Sequence, residues 1–494
     1  MRAATPRRLL RLFCLAGLLA CTVNPATGRR EILIVSPAEE QASGREAAAQ
    51  VEREIGLLED AGLEEYVAAI GARLAEHSPR QDVEYRFAIV EMPEVNAFAL
   101  PGGYVYVSRG LLALANSEDE LANVLAHEVA HVAARHHAQR QTRAAGVGAV
   151  SVLGAILAGA LGGSEAADAA AQIGQVAGSG LIASYSRDQE RESDRIGQRI
   201  AAQAGWDPTA MAEFLRSLEA ETRLQRGETR QPGFLDTHPS TPERASAAAG
   251  LAHGLPAWEA RPIASSRADF LARLEGLQLG QDPAEGVFRD AVFLHPTLDF
   301  HIRFPSDWTT RNARDSVGAV APEGAALNRL AAQEKGSDPR GAAERFAAEE
   351  RVELIEPGPL RIGSLRAYHA QVEAAGQGGQ PMGVDLTWVA HGGLVYRIDG
   401  LAAGSDFSRY SELFRRTARS FRPLTPRERA SITRRLLHVV TAREGETLEA
   451  LSHRTGNVWS LSATSAMNAI HETERLRAGQ RVKIARDHPL AGSG

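Results

Sequence analysis

His127, Glu128 and His131 stand in the order H-E-x-x-H within a stretch of helical period. Residues four apart on a helix leave from one face, so both imidazoles can grip one metal ion. A glutamate beside the first histidine can reach a metal-bound water and take its proton. The pattern predicts zinc-dependent hydrolysis of peptide bonds, with one Zn2+ per chain. Such a zinc needs a third protein donor and an open position. Glu190 is the expected donor. It shares a helix face with Asp194, one turn on, whereas Glu192 points elsewhere. Asp194 then fits behind the metal, holding a ligand histidine through its other ring nitrogen. Glu192 reads as part of a solvated face with Arg187, Arg191 and Arg195. His136 falls off the ligand face, and it and His137 read as surface or packing residues.

Two helices must carry these groups. Ser117 with Glu120 reads as a capping box, and Leu121, Val124, Leu125 and Val132 repeat at helical spacing with no Gly or Pro before Gly146. Ser186 with Gln189 opens the second helix, which should stop near Gly205, and Asp207-Pro208 should cap and open the next. Tyr85, Phe87 and Ile89 alternate as a strand, and Tyr104 to Val107 is rich in aromatic and β-branched residues. Pro101-Gly102-Gly103 marks a turn of exposed backbone between them. An extended peptide could pair with an edge here, along Asn96, Ala97, Phe98 and Ala99. Backbone pairing reads extended conformation, so the expected substrates are unfolded or misassembled proteins. Tyr185 could donate to an oxyanion, though nothing in the sequence places it there.

H-E-x-x-H followed by E-x-x-x-D resembles the gluzincin metallopeptidases related to the CAAX prenyl protease and HtpX, closest to their soluble periplasmic members of the BepA and LoiP type. Three further stretches carry the resemblance: Asn96 to Gly103, Thr237-His238-Pro239-Ser240-Thr241-Pro242-Glu243-Arg244, and the leader Thr22 to Arg30. It covers about residues 22–250. The resemblance implies that His238 approaches the open metal position, either stabilising the oxyanion or blocking water in a resting state.

Arg2, Arg7, Arg8 and Arg11 precede or enter a short apolar run, Leu9 to Ala20, which reads as a signal peptide rather than a membrane span. Leu18-Leu19-Ala20-Cys21 resembles a bacterial lipobox, so Cys21 would carry the lipid. Thr22 after it resembles sorting to the outer membrane of a Gram-negative cell, with the protein facing the periplasm. Both cysteines, Cys14 and Cys21, lie in this leader. No internal disulfide or Cys-type zinc site is therefore expected in the mature chain. Hydrophobic residues at 44% and charged residues at 23% fit a globular chain, and a net charge of −6 gives no sign of nucleic-acid binding.

The expected fold class is α+β: a mainly helical zincin domain with a small sheet, then a small α+β domain, then a LysM-like module. In residue terms these are a signal peptide at 1–20, a leader at 21–50, the metallopeptidase domain at 51–255 and a linker at 256–290. The small domain follows at 291–425 and the last module at 437–488. Within 144–182, Ala144 to Gly163 is apolar and uncharged but mostly Ala and Gly, which favours a buried or lid-like helical pair over a membrane span. The 291–425 region faintly resembles PsbP-like or DcrB-like folds. The C-terminal stretch resembles LysM modules, which implies peptidoglycan as a partner. Two other functions fit the same residues: a chaperone or outer-membrane assembly factor with latent proteolysis, and a peptidoglycan-tethered binding protein.

Overall fold

A computed structural model describes residues 21–143, 185–224, 234–238, 242–256, 258–313, 315–375 and 381–490. The expected signal peptide, the helical pair at 144–182 and the motif residues Pro239 to Thr241 lie outside the described residues. The chain divides into two compact units: Met1–Gly280 with Leu436–Arg486, and Gln281–Arg435 with Asp487–Gly494. Helices and sheets are mixed in the α+β manner.

The first unit is built around the helix Glu118–Ala133, which carries H-E-x-x-H and is buried along nearly its whole length. Leu121, Val124, Leu125 and Val129 sit in its core, and each buried side chain of this size contributes about 1.5–3 kcal/mol. Ser117 caps the helix by accepting from the Glu120 N–H. The expected capping box is half formed, because Glu120 turns back to the N–H of Asn116 instead (2.8 Å). Glu118 fixes the first turn: its buried carboxylate accepts from the Trp206 indole, the Tyr66 hydroxyl and the N–H groups of Ile263 and Ala264.

The helix also ends earlier than its lack of Gly and Pro suggests. Arg135 takes a left-handed conformation (φ 55°), and helix resumes over 136–143. Asn24 and Gln139 donate to the freed Ala134 carbonyl, and Arg80 donates to that of Val132. The break is thus satisfied by two side chains distant in sequence, Asn24 and Arg80, and by Gln139 five residues on. Asn24 belongs to a short hairpin, β1 (Cys21–Val23) and β2 (Arg30–Ile32). The region expected to be a leader is therefore folded into this unit.

Strands β3 (Arg86–Val90), β4 (Ala97–Leu100) and β5 (Tyr104–Ser108) form one sheet in the order β3-β5-β4, so β4 is an edge. The Pro101–Gly103 turn is not exposed backbone. Gly102 and Gly103 are buried, and the helix Pro37–Glu54 crosses so close that a Cβ on Gly44 would lie 1.9 Å from the Pro101 carbonyl oxygen.

Residues 256–290 differ from the expected linker. The helix Arg267–Arg273 places Phe270, Leu271, Leu274 and Leu277 in the first unit's core, and β6 (Gln278–Leu279) joins the sheet of the C-terminal stretch. That stretch has the expected order of strand, two helices and strand: β17 (Thr433–Thr441), Leu448–Thr455, Leu461–Asn468 and β18 (Arg481–Pro489). It is not a detached module. Lys483 is fully buried and donates to the carbonyls of Ala113, Leu114 and Ala115 at 2.8, 2.9 and 2.8 Å, closing the end of the helix Arg109–Leu114.

The second unit holds a small antiparallel sheet, β7 (Val287–Arg289), β8 (Val292–His295) and β9 (Phe300–Arg303). It also holds a seven-stranded antiparallel sheet with β10 (Thr309–Asn312) at one edge, β16 (Leu394–Ala403) at its centre and β13 (Ile355–Ile362) at the other edge. Strand alternation sends Leu386 and Trp388 to one face, under the helix Pro339–Glu350. Val389, Tyr396 and Ile398 pack on the other, under Phe407–Arg419.

Candidate active site

The helix Arg187–Ala204 runs against the H-E-x-x-H helix and brings the second half of the site. Its capping box, Ser186 with Gln189, is formed in full, and Gly205 ends it with a left-handed cap (φ 99°). Gly197 sets the approach of the two helices, since a Cβ there would lie 2.9 Å from both the N and Cα of His127. Gly197→Ala is expected to push the helices apart, lower stability by about 1–3 kcal/mol and reduce bound metal. Metal analysis of the purified variant, beside its thermal unfolding, checks this.

His127 Nε2 and His131 Nε2 stand 3.0 Å apart. Glu190 places one oxygen 3.5 Å from the first and the other 3.4 Å from the second. His238 puts Nδ1 3.0 Å from Glu190 and 3.3 Å from His127 Nε2. One donor atom from each of these four residues lies within 4.8 Å of all the others. Donors about 2.0–2.1 Å from a tetrahedral ion stand roughly 3.3–3.5 Å apart, so the spacing suits one metal. Glu128 Oε1 and His238 Nε2 face each other at 3.4 Å without a formed hydrogen bond, and Glu128 Oε2 is buried without a hydrogen-bond partner among the described residues. Buried anionic acceptors left open in this way are costly unless a cation completes them, so the residues fit a metal.

Burial pushes the Glu128 carboxyl above its ordinary value, against the pull of His238 and His127. That shift suits a group that must accept a proton. Asp194 lies 3.0 Å from His127 Nδ1, as expected of a residue behind the metal. Burial would raise its carboxyl, but the Arg244 guanidinium outweighs this and holds it below the usual range.

Several participants were not assigned from the sequence. Arg244 donates two bonds to Asp194, both at 2.8 Å, and pairs with Glu190 at 2.8 Å. It stands in the Thr237–Arg244 motif, where His238 drew the only assignment. His136 is a correction: it is buried, with Nδ1 3.0 Å from His131 Nδ1 and Nε2 3.2 Å from Glu192. Glu192 is therefore not simply solvated; it closes a relay behind the second ligand. Both misreadings follow from the helix break at Arg135, which nothing in the local sequence marks. His137 is buried too, donating to the Ala99 carbonyl (2.7 Å), with the Tyr185 hydroxyl 2.8 Å from the same nitrogen. Tyr185 stacks on His131 at 3.8 Å between centroids.

The expected substrate strand, Asn96 to Ala99, lies along the edge strand β4 and the residues before it. Two of its carbonyls or their neighbours are engaged: Ala99 by His137 and Val95 by the N–H of Phe234 (2.8 Å). Cys21 lies apart from this cluster, at the open end of the β1–β2 hairpin.

An H-E-x-x-H helix, a glutamate from a second helix and a buried general base define a metallopeptidase domain. Residues 62–252 match Peptidase family M48, and the chain carries a domain of that family. The Beta-barrel assembly-enhancing protease of Escherichia coli (strain K12) is 35% identical over 228 residues, 45% of each chain. That of Yersinia pestis is 34% identical over 264 residues, 52% of each. Mitochondrial metalloendopeptidase OMA1 of Schizosaccharomyces pombe is 33% identical over 180 residues, 36% of this chain and 50% of the relative. The chain thus spans about half the length of the curated relatives it matches. A solution structure of PsbP from Synechocystis sp. PCC 6803 aligns with 28% of this chain and 95% of that one, at 13% identity and a TM-score of 0.23. A likeness at that score carries no argument about fold. Among the described residues, no helix is long and apolar enough to cross a membrane.

Proposed function

We propose that this protein is a zinc-dependent endopeptidase of the bacterial cell envelope that hydrolyses unfolded or misassembled proteins. The observation that carries the reading is the meeting of His127, His131 and Glu190 around one point, with the buried Glu128 carboxylate beside it. A bound zinc would supply a water acidified toward neutrality and would polarise the scissile carbonyl. Glu128 takes a proton from the attacking water and delivers it to the leaving amine. Asp194 and His136 hold the ligand histidines from behind, so little rearrangement precedes the reaction. Substrate lies along β4, where backbone pairing selects extended chain over particular side chains. The relatives' names, the leader and the lipobox-like Leu18 to Cys21 support a periplasmic, outer-membrane-anchored protein. The 437–488 stretch is proposed to contact peptidoglycan.

One observation favours a closed resting state within this reading. His238 stands as the fourth donor, and its own segment is bonded to the chain just before β4 through Phe234 and Val95. With both in place, water and substrate are excluded, and the protein could serve chiefly as an assembly factor until the segment moves.

Casein cleavage by the purified protein, with and without a chelator and after zinc is restored, tests both readings. Cleavage that is lost with the chelator and recovered with zinc is expected, and metal-independent cleavage would sink the proposal. His238→Ala is expected to cleave faster than the parent. Slower cleavage would assign His238 to oxyanion stabilisation instead.

A further inference from the structure

We infer that Glu192 is a positioning residue for the metal site and acts through two imidazoles. It fixes the proton of His136 on Nε2, and through His136 that of His131 on Nδ1, so that the lone pair of His131 Nε2 faces the metal position. This rests on the reading of His127, His131 and Glu190 as metal ligands, and says how one of them is kept in its binding form.

The contacts form an unbroken line. Glu192 sets Oε2 3.2 Å from His136 Nε2. The other ring nitrogen of His136, Nδ1, stands 3.0 Å from His131 Nδ1. His131 Nε2 in turn faces the cluster, 3.0 Å from His127 Nε2 and 3.4 Å from Glu190. Both imidazoles of the relay are fully buried, so solvent does not compete for their nitrogens.

Counting donors and acceptors gives the line a direction. A carboxylate only accepts, and a neutral imidazole carries one N–H and one lone pair. Glu192 therefore claims the N–H of His136 at Nε2 and leaves Nδ1 as an acceptor. Two ring nitrogens 3.0 Å apart need one proton between them, so His131 donates from Nδ1. Its lone pair is then at Nε2, the form in which an imidazole binds a metal. The reverse order would point an N–H of His131 into the cluster. Ser193 Oγ, 3.3 Å from His136 Nδ1, can donate or accept and so selects neither order. His127 is served in one step, by Asp194 at its Nδ1. His131 is reached in two, with His136 between it and Glu192.

The two oxygens of Glu192 have separate partners. Oε2 meets His136, while Oε1 lies 4.0 Å from both Arg29 and Arg195. The side chain is 18% exposed, so the relay runs from the surface to the ligand.

The test is Glu192→Gln in the purified full chain. The amide keeps the size of the carboxylate but can donate to His136 Nε2, which permits the reverse order. Nitrogen NMR of metal-free protein with isotope-labelled histidine, assigned by replacing single histidines, reports which nitrogen of His131 holds the proton. Zinc affinity is measured separately, by competition with a chromophoric chelator. The parent should hold the proton at His131 Nδ1. Glu192→Gln should show His131 protonated at Nε2 in part of the population and bind zinc roughly 10- to 100-fold more weakly. His131 protonated at Nε2 in the parent would overturn the inference without any variant, and so would equal zinc affinity in parent and Glu192→Gln. Weaker zinc binding with the His131 tautomer unchanged and a lower melting temperature of the metal-free protein would also overturn it, by making Glu192 a packing residue. A parent that binds no zinc would sink the zinc-peptidase reading instead, while the tautomer measurement, made without metal, still decides on the relay.

Discussion

Glu128→Gln is expected to lower casein cleavage by about 10²- to 10⁴-fold while bound metal and thermal stability stay close to the parent's. The amide keeps the size of the carboxylate but cannot accept the water's proton. Neither Glu128 oxygen makes a hydrogen bond among the described residues, and the one charged contact the change weakens is with His238 at 3.4 Å. It also removes a buried negative charge that burial already disfavours, and stability should hold or rise slightly. The assay pairs initial rates with metal analysis. Full activity in Glu128→Gln would remove Glu128 from the chemistry. Lost activity together with lost metal would make it a structural residue.

Arg244→Leu should give the largest loss of stability. The guanidinium is buried between Glu190 and Asp194 and bonds to both. Leucine is shorter and carries no charge, so Glu190 and Asp194 would lose the cation between them. Breaking a buried pair from one side costs about 3–5 kcal/mol. That corresponds to a fall of roughly 10 °C in the melting temperature of a domain this size. Arg244→Lys should recover only part of it, because an ammonium cannot reproduce the forked contact with Asp194. Added zinc should narrow the gap, since a cation at Glu190 relieves part of the same repulsion. Unfolding curves for parent, Lys and Leu variants, with metal and with chelator, check all three statements. A melting temperature unchanged in Arg244→Leu would show that the carboxylates are satisfied by other means.

The cluster that could hold a metal was legible because helix periodicity is local. H-E-x-x-H and E-x-x-x-D each place two functional groups on one face of one helix, and spacing alone announces this for His127, His131, Glu190 and Asp194. Ser186, Gln189 and Gly205 bounded the second helix for the same reason, since caps act within a turn. The strand, two helices and strand of the C-terminal stretch were likewise readable from short-range pattern.

What escaped the sequence depended on partners far along the chain. The break at Arg135 carries no Gly or Pro. It is held by Asn24 and Arg80, with the nearby Gln139, and it places His136 and His137, expected as surface or packing residues, in the buried surroundings of the site. Glu192 looked solvated because its partner, His136, is 56 residues away. Lys483 gave no sign of tying the last stretch to carbonyls roughly 370 residues earlier. The sequence by itself determined the chemistry, because the metal-binding groups are set by the helical repeat. Only the tertiary structure decided what holds and encloses that chemistry, because buried charges and freed carbonyls must be satisfied by whichever side chains the fold brings near.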